Sequence, residues 1–590
     1  MQLSTLDWSI VGIYFFMVLA VGLYFSKKSS SSINEFFLSG RNMPWWLLGI
    51  SMVATTFSSD TPNLVAGLVR ENGVSGNWGW WAFLVTGMLT VFVYAKLWRR
   101  SEVLTDIEFY ELRYSGSTAA FLRGFRALYL GLVFNVLVMG TVSLAAIKFG
   151  EIVLGLEGWK TLLIAGTVTI SYSTLGGLKA VIITDFVQFV LAMIGSIWAC
   201  IYIVNLPEIG GLSSLITHEA VAPKLSLLPD MSDPSVWVPV LMVPLAVQWW
   251  ASYYPGSEPG GGGYIAQRMF SAKDEKNAIG ATLLFNIAHY ALRPFPWILI
   301  ALASLVIFPE LSDISSVFPT LSADKIGHDI SYPAMLTKLP SGLLGLVAAS
   351  LIAAFMSTMS TQMNLGASYL VNDFYRRFIK PEASQKELIN AAKGFTVISA
   401  ILGMGLGLVL TDATQAFNLL LLLGAGTGAI YILRWFWWRI NAMTEIVAMV
   451  ASLVIAGFFT FGNHGLEGWQ TLVVGALLTT IIWIGSTFIT EPTDEKTLRN
   501  FYKKIRPSGS GWDKVIENAK ADGVEIVKEK SQLPLELLCW LVGCISVYST
   551  LFATGNWIYG NVSTASILTV IALTGGAFLF RVWGSLQTDE

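Results

Sequence analysis

Apolar residues gather in continuous runs of about 20 positions, the length an α-helix needs to cross a bilayer. The runs centre on 5–25, 44–70, 78–98, 121–155, 159–177, 181–204, 234–256, 278–308, 342–376, 391–410, 414–435, 443–462, 469–491, 534–553 and 562–582. Barrel strands would instead alternate apolar and polar positions over roughly half that length. The pattern therefore predicts an all-α polytopic membrane protein with about fifteen transmembrane helices.

The second run departs from this simplicity. Within WWLLGISMVATTFSSDTPNLVAGLVR (45–70), Thr55, Thr56, Ser58, Ser59, Asp60, Thr61 and Pro62 interrupt an apolar stretch at its centre. An ionisable group such as Asp60 costs a few kcal/mol or more at mid-membrane unless it faces protein or water. Proline removes a backbone donor and clashes with the preceding turn, so carbonyls around 54–58 are expected to lack helical partners. Backbone carbonyls freed at that depth are cation ligands.

A second polar cluster falls in the ninth run, where Ala354, Ser357, Thr358 and Thr361 follow i, i+3, i+4, i+7 spacing and share one helical face, with Ser360 and Gln362 beside it. Serine and threonine in membrane helices commonly serve as small packing residues or bond back to their own carbonyls. Their density here, paired with the interrupted second run, favours a cage of hydroxyl and carbonyl oxygens. Sodium, a hard cation, is its natural occupant.

Three further groups lie within runs. Gly176 and Gly177 predict a tight turn, and Asp185 follows inside the next helix, either as a cation ligand or as counter-charge to a base such as Lys179. The eighth run holds His289, Arg293, Pro294 and Pro296; Arg293 requires a partner, either Asp60 or a carboxylate on a solute. Trp78, Trp80 and Trp81 open the third run, while Trp249 and Tyr254 close the seventh. An aromatic belt at the interface is expected for Trp78 and Trp249. Trp80, Trp81 and Tyr254 offer flat faces for stacking on a sugar or similar solute. The glycines at 260–263 read as a flexible loop, since the strand, lysine and hydroxyl of a phosphate-binding loop are missing.

Charge sets the expected orientation. Lys27, Lys28 and Arg41, then Arg99, Arg100 and Arg113, then Lys179, then Arg268, Lys273 and Lys276 follow odd-numbered runs, as do Arg376, Arg377, Lys380, Arg434 and Arg439 later. By the positive-inside rule that side is cytoplasmic, which places the N-terminus outside and the C-terminus in the cytoplasm of a multi-pass cell-membrane protein. The first run, preceded by MQLSTLDWSIVG with no basic leader, is expected to stay in the mature protein. Residues 205–233 and 309–341 read as external loops, and 492–533 as a solvated cytoplasmic connector with one or two short amphipathic helices.

Over 590 residues the chain is 54% hydrophobic and 13% charged, which excludes soluble globular classes. A net charge of −2 gives no ground for a nucleic-acid partner; the lipid bilayer is the partner the composition demands. Cys200, Cys539 and Cys544 all lie in apolar runs, so buried thiols are expected rather than disulfides or a metal site.

Four stretches together resemble the sodium:solute symporter family, whose members include sodium-coupled sugar, sialic acid and proline transporters. They are FFLSGRNMPWWLLGISMVAT (36–55), GGLKAVIITDFVQ (176–188), YIAQRMFSAKDEKNA (264–278) and STMSTQMNLGASYLVNDFY (357–375). The resemblance implies a five-plus-five inverted-repeat core over 44–204 and 234–435, with an unwound first core helix. Around it lie an N-terminal segment (1–43), an external loop (205–233), additional helices (436–491), the linker (492–533) and two appended helices (534–590). It further implies one sodium ion held by the carbonyls of Ala54, Phe57 and Ala354 and the hydroxyls of Ser357 and Thr358. The positions matching a second sodium are Asp185, Ser357, Ser360 and Thr361. Solute positions by the same likeness are Thr56, Ser58, Asp60, Thr61, Trp80, Trp81 and Tyr254. PGSEPGGGG departs from the usual spacing, and His289 and Arg293 differ from the sugar-transporting pattern.

The expected function is sodium-coupled import of a small polar solute, a sugar or polyol ahead of an amino acid or small organic acid. A transporter-like sensor signalling through 492–533 is the alternative of another class, although that segment is too short for a kinase or receiver domain. An intramembrane enzyme is set aside, since no HExxH, GxSxG or paired-aspartate motif accompanies Asp60, Asp185 or His289.

Overall fold

The computed structural model describes residues 3–251, 259–318, 326–410, 426–528 and 531–586. Most of the eleventh predicted run (414–435) and Tyr254 lie outside the described residues. The chain is an all-helical membrane protein; among the described residues the only β feature is a bridge between Met43 and Ala272. Among the described residues, twelve helices are long and apolar enough to cross a membrane.

In chain order the elements used below are α1 (Thr5–Ser29), α2 (Trp45–Thr56), α3 (Thr61–Asn72), α4 (Val74–Ser101), α5 (Gly116–Leu154), α6 (Gly158–Val204) and α7 (Pro234–Ala251). They continue with α8 (Gly263–Ser271), α9 (Glu275–Ile307), α10 (Leu343–Ile379), α11 (Gln385–Val409), α12 (Ala442–Phe461) and α13 (Gly468–Ile489). The last four are α14 (Glu495–Ile505), α15 (Asp513–Ala521), α16 (Leu533–Ile558) and α17 (Val562–Val582).

Two of these divisions follow directly from local chemistry. The second run is two helices, α2 and α3, with Pro62 in the first turn of α3, where its missing donor is harmless. The long α6 bends at Gly177, whose φ of 55° and ψ of −163° only glycine adopts readily. A Cβ there would stand 2.8 Å from the Phe36 carbonyl, and Ser29 Oγ donates to the neighbouring Gly176 carbonyl at 2.5 Å. The predicted glycine turn is therefore present, and Asp185 sits in the second half of α6.

α10 is the axis of the bundle: 94% of its apolar window is buried, against 11% for α17 at the periphery. It packs on α1, α2, α5, α6 and α11. Its N-terminus is held by Asp7 of α1, which accepts from the amides of Gly342 and Gly345 at 2.7 and 2.8 Å. A carboxylate at the positive end of a helix is a favourable placement.

Three expectations change. Trp78 is buried rather than interfacial, packed against Tyr548 and Phe552 of α16 with ring centroids 5.2 and 6.0 Å away. The segment 492–533 forms the predicted amphipathic helices α14 and α15, yet it is docked: Phe501, Ile505 and Trp512 are fully buried. Trp512 stacks on Phe501, donates through Nε1 to the Trp435 carbonyl at 2.8 Å, and lies against the Arg113 guanidinium. Arg113, Arg268 and Arg434, counted above as loop charges, are themselves buried. The three cysteines are free and buried, as expected.

Candidate functional site

The break between α2 and α3 exposes backbone groups that would otherwise be spent within a helix. The Phe57 amide reaches both the Val53 and Ala54 carbonyls, at 2.9 and 3.1 Å, and closes α2. Beyond it, side chains replace backbone donors. Thr358 Oγ1 donates to the Thr55 carbonyl at 2.9 Å, and Thr61 Oγ1 to the Thr56 carbonyl at 3.1 Å. A carbonyl oxygen has two lone pairs, so one such bond leaves the other free for a cation.

The hydroxyl face of α10 meets this break. Thr358 Oγ1 also donates to the Ala354 carbonyl at 3.3 Å, Ser360 Oγ to the Ser357 carbonyl at 3.0 Å, and Thr361 Oγ1 lies 3.2 Å from Thr55 Oγ1. Ala54, Phe57, Ala354, Ser357, Thr358, Ser360 and Thr361 are all buried. A hydroxyl that gives its proton to a carbonyl turns its lone pairs outward, which suits a cation ligand.

Asp185 joins the same cluster from α6. Its carboxylate accepts from Ser51 Oγ at 2.5 Å and from Ser357 Oγ at 2.7 Å, and it lies 3.5 Å from Arg268 Nη2. Lys179 is not its partner: that ammonium sits over the Phe25 ring. Arg268 was placed in a cytoplasmic loop by the charge pattern, whereas it is fully buried and donates to Thr361 Oγ1 at 2.8 Å, Gln267 Oε1 at 3.0 Å and Ser51 Oγ at 3.2 Å. A guanidinium thus stands beside Asp185 and Thr361, two of the positions expected to match a second sodium ion.

The glycine run explains how Arg268 returns to the interior. Gly260, Gly261 and Gly263 have φ of 83°, 81° and 56°, and every residue of α8 is buried. The Gly263 amide donates to Asp106 Oδ2 at 2.9 Å, and Trp98 Nε1 donates to the Gly260 carbonyl at 2.7 Å. This is a hydrogen-bonded turn into a buried helix and not the flexible loop expected from composition. The signal in the sequence was the pairing of Gly-rich spacing with an arginine flanked by Ile265, Ala266, Met269 and Phe270.

On the other side of the break, Thr56 Oγ1 lies 3.2 Å from His289 Nδ1 and accepts from Arg293 Nη1 at 3.3 Å. Arg293 also donates to the Val53 carbonyl at 3.3 Å and covers the Trp297 ring. His289 meets Trp80 edge-on at 5.4 Å, and Trp80 stacks on Tyr290 at 5.9 Å while donating to Asn77 Oδ1 at 2.9 Å. Thr56, Asp60 and Thr61 are half-buried, whereas Phe57, Ser58 and Ser59 between them are buried. The structure therefore brings Thr56, Trp80, His289 and Arg293 together, with Asp60 half-buried at the start of α3. Ser58 lies beside Asp60, Thr61 spends its hydroxyl on the Thr56 carbonyl, and Trp81 is fully buried against Trp78.

Comparison with known proteins identifies the family and the fold. The family model described as the sodium:solute symporter family matches residues 36–455. A sodium/glucose cotransporter of Vibrio parahaemolyticus is 25% identical over 512 residues, covering 84% of this chain and 92% of its own. The human sodium/myo-inositol cotransporter is 27% identical over 499 residues, covering 77% of this chain and 66% of its own. Among solved structures, the substrate-bound outward-open state of a Na+-coupled sialic acid symporter aligns with a TM-score of 0.66 at 20% identity. That alignment covers 83% of this chain and 99% of the other, and shows a shared fold.

Proposed function

The chain belongs to the sodium:solute symporter family, and from that premise we propose that it imports a small polar solute together with sodium by alternating access. A sugar or polyol is the favoured solute. The observation that carries this reading is the double use of one helix break. Its α10 side offers Thr358 bonded to the Thr55 carbonyl, and its other side offers Thr56 to His289 and Arg293. A segment whose backbone is shared by an ion site and a solute site couples their occupancies, because each ligand favours the same arrangement of the break.

The sodium ligands are the carbonyls of Ala54, Phe57 and Ala354 with the hydroxyls of Ser357 and Thr358. At the second position, Arg268 already supplies a positive charge to Asp185 and a donor to Thr361. This favours one sodium per cycle. Fifteen spans, an inverted repeat over 44–204 and 234–435, and a cytoplasmic C-terminus belong to the same proposal.

The sugar reading is supported by the half-buried Thr56 hydroxyl, the Trp80 indole, and the glucose and myo-inositol relatives. Arg293 favours the second reading, a carboxylate-bearing solute. A thermal-shift screen of the purified chain across sugars, polyols, amino acids and small acids, with sodium and with potassium, separates the two, since a ligand bound only by the folded state raises its stability. A sugar or polyol is expected to raise the melting temperature in sodium alone. A shift confined to carboxylates overturns the sugar assignment.

A further inference from the structure

Helix α16 lies outside residues 36–455 that the family model matches, and its place after the polar 492–533 segment marked it as an appendage. One side of it packs on α17, and the other on helices that carry the solute side of the site. It runs antiparallel to α4, with Glu536 beside Lys96, Trp540 beside Val85 and Tyr548 beside Trp81, and also packs on the His289 turn of α9. Gly543 allows close approach, for a Cβ there would overlap Met88 and meet Phe92 at 3.0 Å. At the other end a Cβ on Gly555 would stand 2.9 Å from Phe295 of α9.

Two features tie α16 to α4 beyond apolar packing. Glu536 and Lys96, both buried, form an ion pair near the basic end of α4. Each charge at that depth requires the other. The second feature repairs a fault in α4 itself. Just after Trp80, the Phe83 amide bonds the Trp80 carbonyl and the Val85 amide bonds the Ala82 carbonyl, at 3.2 and 3.1 Å, so the chain tightens into i to i+3 bonds. The Trp81 carbonyl, which an α-helix would pair with the Val85 amide, instead accepts from Tyr548 Oη of α16 at 2.9 Å. Trp540 Nε1 likewise donates to the Val85 carbonyl at 2.9 Å. The tight turn that aims Trp80 at His289 is thus completed by a side chain from another helix.

Resting on the symporter reading above, we infer that α16 is a positioning element of the solute site, with Tyr548 holding the α4 turn that presents Trp80. Tyr548 touches neither ion nor solute; it acts through the Trp81 carbonyl. Tyr548→Phe keeps the ring against Trp78 and removes only the donor.

The test compares full-length wild type and Tyr548→Phe in two measurements: amide hydrogen exchange over 80–87, and uptake of radiolabelled D-glucose and myo-inositol into liposomes. Exchange over 80–87 is expected to speed up in the variant while exchange over 54–61 is unchanged. The half-saturating solute concentration is expected to rise about tenfold, the worth of one orphaned carbonyl, with sodium binding measured without solute unaltered. Unchanged exchange over 80–87 overturns the inference. Faster exchange with an unchanged half-saturation also overturns it, since Tyr548 would then be structural alone. If wild type shows no sodium-dependent uptake of either probe, the sugar reading fails first, and the inference falls with it.

Discussion

Thr358→Ala raises the sodium concentration for half-maximal uptake about ten- to a hundredfold, the loss of one oxygen from a charged ligand being worth about 1.5–3 kcal/mol. The residue is the direct link between α10 and the broken helix, through its bonds to the Thr55 and Ala354 carbonyls. Alanine removes the hydroxyl and leaves the Thr55 carbonyl without its partner at the break. Thr358→Ser keeps the oxygen and is expected to retain wild-type sodium dependence. Ser357→Ala should behave like Thr358→Ala. Sodium dependence of uptake, measured with choline replacing sodium, checks all three; unchanged values in both alanine variants would remove the ion from this place.

Asp185→Asn has the second large effect, and it is on folding. The carboxylate and the Arg268 guanidinium are both fully buried, and a buried charge stripped of its partner costs about 3–5 kcal/mol. A sharp loss of folded protein is expected for Asp185→Asn, and recovery for Asp185→Asn with Arg268→Gln, where no charge is left alone. The pair of variants also bears on stoichiometry. With one sodium per cycle, the doubly substituted protein keeps the wild-type ratio of ion to solute. A lowered ratio would mean that Asp185 holds a second ion in competition with Arg268. Wild-type melting behaviour in Asp185→Asn alone would mean the two groups are not an ion pair.

What the sequence made legible was polar chemistry standing out against an apolar background. The break at 57–60, the hydroxyl face of Ser357, Thr358 and Thr361, the Gly177 turn and the placement of Asp185 all rest on few residues close together in the chain. Arg268 was misplaced for the converse reason. The positive-inside rule counts bases near the ends of apolar runs, and it does not distinguish a lysine in water from an arginine carried back inside by glycines of positive φ. Trp78 shows a similar limit, because indoles at an interface and indoles between helices have the same composition. The roles of α14, α15 and α16 depended on partners distant in the chain, such as Lys96 for Glu536 and Trp435 for Trp512. Those pairings have no local signature.

The central claim is that solute movement is driven by sodium through this one site. It is tested most directly in liposomes holding the purified chain, loaded with choline, given external sodium and an interior-negative potential, with uptake of D-glucose and myo-inositol followed over time. One translocated charge at 100 mV is worth about 2.3 kcal/mol, enough for roughly 50-fold accumulation before the sodium gradient is added. The account predicts accumulation of solute well above the external concentration, collapsing when a sodium ionophore is added and absent for Thr358→Ala at the same sodium. Equal uptake in sodium and in choline, rising only to the external concentration, would contradict it.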